Sequence, residues 1–177
     1  MKTCLAAHVP VVCGTTGWLE HYEEVKSFTE HHHGAFLYAS NFSIGVNLFF
    51  ELNKHLARLM NVQTQYQVKM EEIHHTEKLD APSGTAITLA EGILDELNRK
   101  DLWVNEESSS EHVLPIISKR LDKVPGTHRI AYATLEDTIK IEHIAHSREG
   151  FGKGALHAAE WIIGKQGCFS MSDVLGF

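Results

Sequence analysis

The chain has 177 residues, enough for one or two domains with a real core. Its 43% hydrophobic and 22% charged residues fit an ordinary soluble globular protein. Sixteen basic against 23 acidic residues give a net charge of −7, which argues against a nucleic-acid binder with its basic face. No apolar run approaches the roughly 20 residues of a membrane span. The N-terminal MKTCLAAHVPVVCGTTGW has one lysine and a short apolar stretch, as signal peptides do. However, VPVVCGTTG reads better as a buried strand running into a glycine turn. The three cysteines, Cys4, Cys13 and Cys168, are odd in number and widely spaced. They are expected to be buried free thiols of a cytoplasmic protein.

In chain order, residues 2–7 read as the tail of a helix and 9–13 as a short buried parallel strand. Residues 14–17 form the turn after it, and 18–32 a helix with Leu19, Tyr22, Val25 and Phe28 near helical spacing. The run His31-His32-His33 is a solvated helix end. Adjacent histidines on a regular element cannot all reach one ion, and no CxxC or HExxH spacing accompanies them, so no metal site is expected. Residues 35–39 are the next buried strand. In the loop 40–43, either Asn41 or Ser43 caps the following helix, 46–60, whose apolar side is Leu48, Phe49, Leu52, Leu56 and Leu59.

Residues 64–73 then alternate, with Tyr66, Val68 and Met70 on one face of a half-buried strand that delivers His74 and His75 at its end. A helix follows over 83–97 and a polar, serine-rich loop over 101–111. Three more strands follow, at 116–119, 129–134 and 138–146, with a turn at Val124-Pro125-Gly126-Thr127 before the second. A small-residue helix spans 154–163, and 169–175 is a terminal piece. The character changes near residue 43, from βα units with buried parallel strands to an open mixed sheet with helices on one face. Two domains follow, with the last helix returning to the first.

The densest chemistry is EEIHHTEKLDAPSGTA, residues 71–86. His74 and Lys78 exchange protons near neutral pH when their environment tunes them. Asp80, Pro82 and Ser83 read as a helix start, and Gly84 and Thr85 fall in its first turn. There, backbone N–H groups lack intrahelical partners and bind carboxylate or phosphate. The alternative is a pair of ordinary surface histidines. Gly14-Thr15-Thr16-Gly17 follows a strand and precedes a helix, where open α/β sheets take ligands; a tight turn with a capping threonine is the alternative. Ala39-Ser40-Asn41-Phe42 ends the next strand: Phe42 suits a flat ring and Asn41 an amide, or the loop merely holds one buried aromatic. In His146-Ser147-Arg148, Arg148 either meets an anion or is a surface arginine.

HHTEKLDAPSGTA resembles the signature of the 4-hydroxy-tetrahydrodipicolinate reductase (dihydrodipicolinate reductase) family of the diaminopimelate route to lysine. GTTGW, SNFSIGVN, VPGTH and HSREGFGKGA match in order and position. The resemblance implies an α/β fold: the C-terminal part of a Rossmann-like parallel-sheet domain (1–42 and 148–177) plus an α+β substrate-binding and oligomerisation domain with an open mixed sheet (43–147). It implies His74 as proton donor and acceptor and Lys78 as a second proton donor near a substrate carboxylate. His75, Gly84 and Thr85 take substrate-binding positions. Gly14, Thr15, Thr16, Ala39, Ser40, Asn41 and Phe42 take positions around the nicotinamide of NADH or NADPH. A homotetramer joined through the sheets is implied as well. The family begins with a strand and a GxxGxxG-type turn for the pyrophosphate, which this sequence does not contain. The expectation is a truncated reading frame or a natural short form. The rival reading is a non-catalytic dicarboxylate-binding or assembly module, and a histidine-rich metal binder is a weaker third.

Overall fold

Short apolar runs with β-branched and aromatic residues form the first sheet. β1 (Val11–Cys13) pairs in parallel with β2 (Ala35–Tyr38), and β2 with β8 (Gly167–Phe169). This computed structural model describes residues 1–15 and 17–177. It resolves into two units, Met1–Asn47 with Glu149–Phe177, and Leu48–Arg148.

In the first unit, β2 is apolar without interruption because helices bury both its faces. Phe36 packs with Leu5 of α1 (Lys2–Ala6) and Val25 of α2 (Tyr22–His31), beside Cys13, Trp18 and Tyr22. Ala35 and Leu37 point the other way, onto Ala158 of α5 (Glu149–Trp161) and Met171 and Val174 of α6 (Met171–Leu175). α5 therefore packs on the N-terminal strands. Gly154 permits this packing, since a Cβ there would fall 1.7 Å from the Phe42 carbonyl oxygen. The expected helix over 18–32 begins as a single 3-10 turn, Leu19–His21, before α2. The three histidines do close that helix: His31 and His33 are exposed, and His33 takes a left-handed φ of 49°. Of the three cysteines, none of which is in a disulfide, only Cys13 is buried; Cys4 is exposed and Cys168 half-buried, so the expectation of buried thiols holds for one.

In the second unit a mixed five-stranded sheet runs β4 (Leu102–Val104), β5 (Val113–Arg120), β3 (Gln67–His74), β6 (Gly126–Ala133), β7 (Thr138–Ala145). β3 is central, parallel to β5 and antiparallel to β6, which pairs with β7. Alternation places Val68 and Met70 on the inner face with Leu114, Ile116, Ile130 and Tyr132. α3 (Ile44–Met60) and α4 (Gly84–Leu94) cover that face.

α3 corrects one expectation. Its buried stripe is Val46, Phe49, Asn53, Ala57 and Met60, while Leu48, Leu52 and Leu59 are about half exposed. Asn53 belongs inside because its amide donates to the Leu89 carbonyl at 2.9 Å, tying α3 to α4. Ser43 Oγ accepts from Val46 N–H, and Asn41 Oδ1 accepts from Ser43 N–H, so both candidate caps shape the helix start. The 101–111 segment is not all loop, for β4 (Leu102–Val104) pairs with β5. Among the described residues, no helix is long and apolar enough to cross a membrane.

Candidate active site

The inner face of the second sheet is apolar at one end and polar at the other. β3 runs Val68, Met70, Glu72, His74 along that face, so the last two inward side chains are ionisable. Register brings partners to them: Glu72 lies opposite Ser118 of β5 and His128 of β6, and His74 opposite Arg120.

Glu72 is fully buried. Arg120 Nη1 and Nη2 each donate to its Oε1 at 3.2 Å, and Ser83 N–H donates to its Oε2 at 3.2 Å. His74 Nδ1 lies 3.0 Å from the same Oε2. The angle is bent away from the ideal hydrogen-bond line, and Nδ1 has no other partner among the described residues. Burial pushes the Glu72 carboxyl up, but the close approach of His74 and the hydrogen bond from Ser83 outweigh it and hold the group well below the usual carboxylate range.

Arg120 also organises the loop beyond β3. Its Nε donates to the Lys78 carbonyl at 3.3 Å and its Nη2 to the Asp80 carbonyl at 2.6 Å. Lys78 is largely shielded, with Nζ 2.8 and 2.9 Å from the two carboxylate oxygens of the more exposed Asp80. The chain then turns into α4, where Ser83 is the N-cap and its Oγ accepts from Ala86 N–H at 3.2 Å. The same Oγ is 3.2 Å from His128 Nε2. Burial first, then the neighbouring His74, pushes His128 down to about 3, so its ring is neutral. Gly84 is exposed with open space where a Cβ would be, and Thr85 is half-buried beside it.

His74, the Lys78 loop and the α4 start with Gly84 and Thr85 are therefore joined through Glu72 and Arg120. His75 is directed elsewhere. Its Nε2 accepts from Arg148 Nη2 at 3.1 Å, beside a cavity of about 190 Å³ lined by Glu77, Lys123, Val124 and Pro125 as well. Arg148 is thus placed on the substrate-candidate histidine. The donor atoms of Glu72, His74 and His128 lie within 4.8 Å of one another, close enough to bracket a cation. Arg120, Ser83 and His74 already take up the carboxylate, so a cation would displace those contacts.

The remaining sequence candidates lie in the first unit, at the carboxyl ends of the adjacent parallel strands β1 and β2. Gly14, Thr15 and Ser40 are exposed there; Ala39, Asn41 and Phe42 are buried. The Phe42 ring covers Gly14 so closely that a Cβ on Gly14 would come within 3.1 Å of it. Thr15 accepts the Trp18 indole N–H on its carbonyl at 2.7 Å. Thr16 lies outside the described residues.

The sequence reading missed Glu72, Arg120 and His128. Glu72 carried a signal, a carboxylate two residues after Met70 on a core-facing strand period. Arg120 carried none, because cross-strand register is set by the fold, and His128 closed the VPGTH motif without being given a role.

Residues 45–175 match the family model described as dihydrodipicolinate reductase, C-terminus. The chain is 49% identical over 175 residues to the 4-hydroxy-tetrahydrodipicolinate reductase of Christiangramia forsetii, covering 99% of this chain and 73% of that protein. It is 36% identical over 182 residues to the enzyme of the same name from Methanoregula boonei, covering 99% and 69%. The structure of dipicolinate-bound dihydrodipicolinate reductase from Paenisporosarcina sp. TG-14 superposes with a TM-score of 0.72 at 25% identity, covering 96% of this chain and 66% of that one. The chain thus spans about two thirds to three quarters of these relatives.

Proposed function

The chain belongs to the dihydrodipicolinate reductase family, and from that membership we propose that it takes part in NADH- or NADPH-dependent reduction of 4-hydroxy-tetrahydrodipicolinate to tetrahydrodipicolinate, in the diaminopimelate pathway of lysine biosynthesis. One observation carries the reading furthest. A proton-transfer histidine, a shielded lysine and a helix N-terminus are held together at one end of the second sheet by Glu72 and Arg120. That set suits a small cyclic dicarboxylate. Two carboxylates call for a cation and for first-turn N–H groups, which Lys78 and the Gly84–Thr85 turn supply.

When bound, the reduced nicotinamide supplies hydride to the conjugated ring. His74, in its protonated form, quenches the charge that develops there, and Lys78 exchanges its Asp80 partner for a substrate carboxylate. His75 keeps the substrate-binding role the family resemblance gives it only where substrate reaches the separate cavity it shares with Arg148. The exposed Gly14, Thr15 and Ser40 at the strand ends offer backbone and hydroxyl groups suited to the nicotinamide end of the cofactor.

A homotetramer through the outer face of the five-stranded sheet completes the reading. That face carries an ion-pair lattice, Glu71 with Lys119 and Arg129, and Arg129 with Glu142, interleaved with Ile117, Ala131 and the half-exposed Ile144. Cytoplasmic residence accords with three unpaired cysteines.

The test is oxidation of NADH and of NADPH by this chain with freshly generated 4-hydroxy-tetrahydrodipicolinate, run beside a calorimetric titration with dipicolinate. Oxidation abolished by Lys78→Ala supports the reductase. Dipicolinate binding without oxidation favours a dicarboxylate-binding module of the same fold, and neither result from a folded sample overturns the site.

A further inference from the structure

We propose that Glu72 is the positioning residue of the site: it fixes the proton on Nδ1 of His74, leaving Nε2 for proton exchange, and with its other contacts holds the start of α4 in place. The inference rests on the functional reading above and assigns a role to a buried residue that the sequence reading left without one.

A carboxylate only accepts hydrogen bonds, with two oxygens and about four lone-pair directions. Arg120 donates twice to Oε1, and Ser83 N–H donates to Oε2. His74 Nδ1 approaches that same Oε2 at 3.0 Å, at an angle bent from the hydrogen-bond line, and makes no hydrogen bond elsewhere among the described residues. A nitrogen facing an acceptor-only group is favourable only when it carries hydrogen, so Nδ1 is the protonated position. The other ring nitrogen, Nε2, lies toward the start of β6, where a Cβ on Gly126 would come within 3.1 Å.

The second contact gives Glu72 a role that an isolated carboxylate–imidazole pair lacks. Ser83 is the N-cap of α4, so the oxygen that orients His74 also anchors the backbone immediately before Gly84 and Thr85. The proton-transfer group and the anion-binding turn share one buried atom, Oε2, as a reference point. Neutral His128 braces the same serine from β6 through Oγ. Fixing both groups to the middle of the sheet limits independent motion where small misplacements weaken catalysis steeply.

Glu72→Gln keeps the shape and breaks the pattern. An amide has one acceptor oxygen and one NH₂, so either Arg120 or the Ser83–His74 side must face a donor. The experiment is isotope-edited NMR of the histidine ring nitrogens in the full chain at alkaline pH. His74 is identified by the signal missing from His74→Asn, and dipicolinate affinity is measured on the same samples. The expected result is Nδ1–H in the wild type and in Lys78→Ala. In Glu72→Gln, proton density shifts toward Nε2 and dipicolinate affinity falls about tenfold. An Nε2–H tautomer in the wild type overturns the proposal, as does an unchanged ring and affinity in folded Glu72→Gln. If that variant fails to fold, the wild-type tautomer decides alone. Should the wild type not bind dipicolinate, the functional reading fails while the tautomer still reports on Glu72.

Discussion

Arg120 and Glu72 meet on the inner face of the second sheet, both guanidinium Nη atoms 3.2 Å from one carboxylate oxygen, although the register of β3 and β5 places Arg120 opposite His74. The diagonal reach leaves the remaining N–H groups of Arg120 free to hold the Lys78 and Asp80 carbonyls. A loop carrying a catalytic candidate is thereby anchored to strand geometry.

Removing one member of that pair leaves the other charge buried. Arg120→Met is expected to cost about 3–5 kcal/mol of stability, since Glu72 has no exposed surface. The double variant Arg120→Met with Glu72→Leu should recover part of that loss, because no charge is then stranded. Urea denaturation of the four proteins gives the cycle; a double variant no better than Arg120→Met would show the pair is not coupled as described.

Lys78 and Asp80 form an ion pair, which on the proposed function substrate has to open. Lys78→Ala is expected to lower turnover by about a hundredfold or more with little change in cofactor affinity. Asp80→Asn releases the lysine and should tighten dipicolinate binding severalfold, as read by calorimetry. Equal losses of turnover and cofactor affinity in Lys78→Ala would count against the assignment.

Two glycines give contrasting outcomes on addition of one methyl group. Gly154→Ala meets the Phe42 carbonyl and has to push α5 away, costing about 1–3 kcal/mol or more in the first unit. Gly126→Ala meets only the edge of the His74 ring, so the fold should survive while turnover falls. Thermal melts and assays on both variants separate the cases, and a Gly126→Ala protein with wild-type turnover would show that His74 is not confined there.

The longer helices and the long strands were legible because their periods are long enough to read, whereas the five-residue α6 was read only as a terminal piece. β3 shows its alternation over eight residues, and the DAPSG run announces α4 through its cap. β4 and β8 were lost because three residues carry no period. The buried side of α3 was misread because the sequence offers two apolar stripes and the inner one contains Asn53, whose amide N–H finds its acceptor 36 residues away. The site divides the same way. His74, Lys78 and Gly84 lie in one contiguous motif, whereas Arg120 and His128 reach it only through strand pairing.

His128 gives the molecule an acid-sensitive term whose sign can be worked out. Its folded value, about 3, lies below its ordinary value near 6.5, chiefly because the ring is buried. The unfolded chain therefore takes up a proton that the folded chain refuses, and acid favours unfolding. The contribution is fully present above about pH 6.5 and is lost progressively as pH falls toward about 3. By about pH 5 it costs about 2 kcal/mol. His143, also lowered by burial, adds in the same direction, and Glu72 joins only below the ordinary carboxylate range. The wild-type melting temperature should therefore fall between about pH 6.5 and 4.5. His128→Gln still offers a hydrogen-bonding group to Ser83 but cannot titrate, so its fall should be clearly shallower. Parallel pH profiles for the two proteins would mean that His128 accepts its proton in the folded state and is not the buried neutral ring described here.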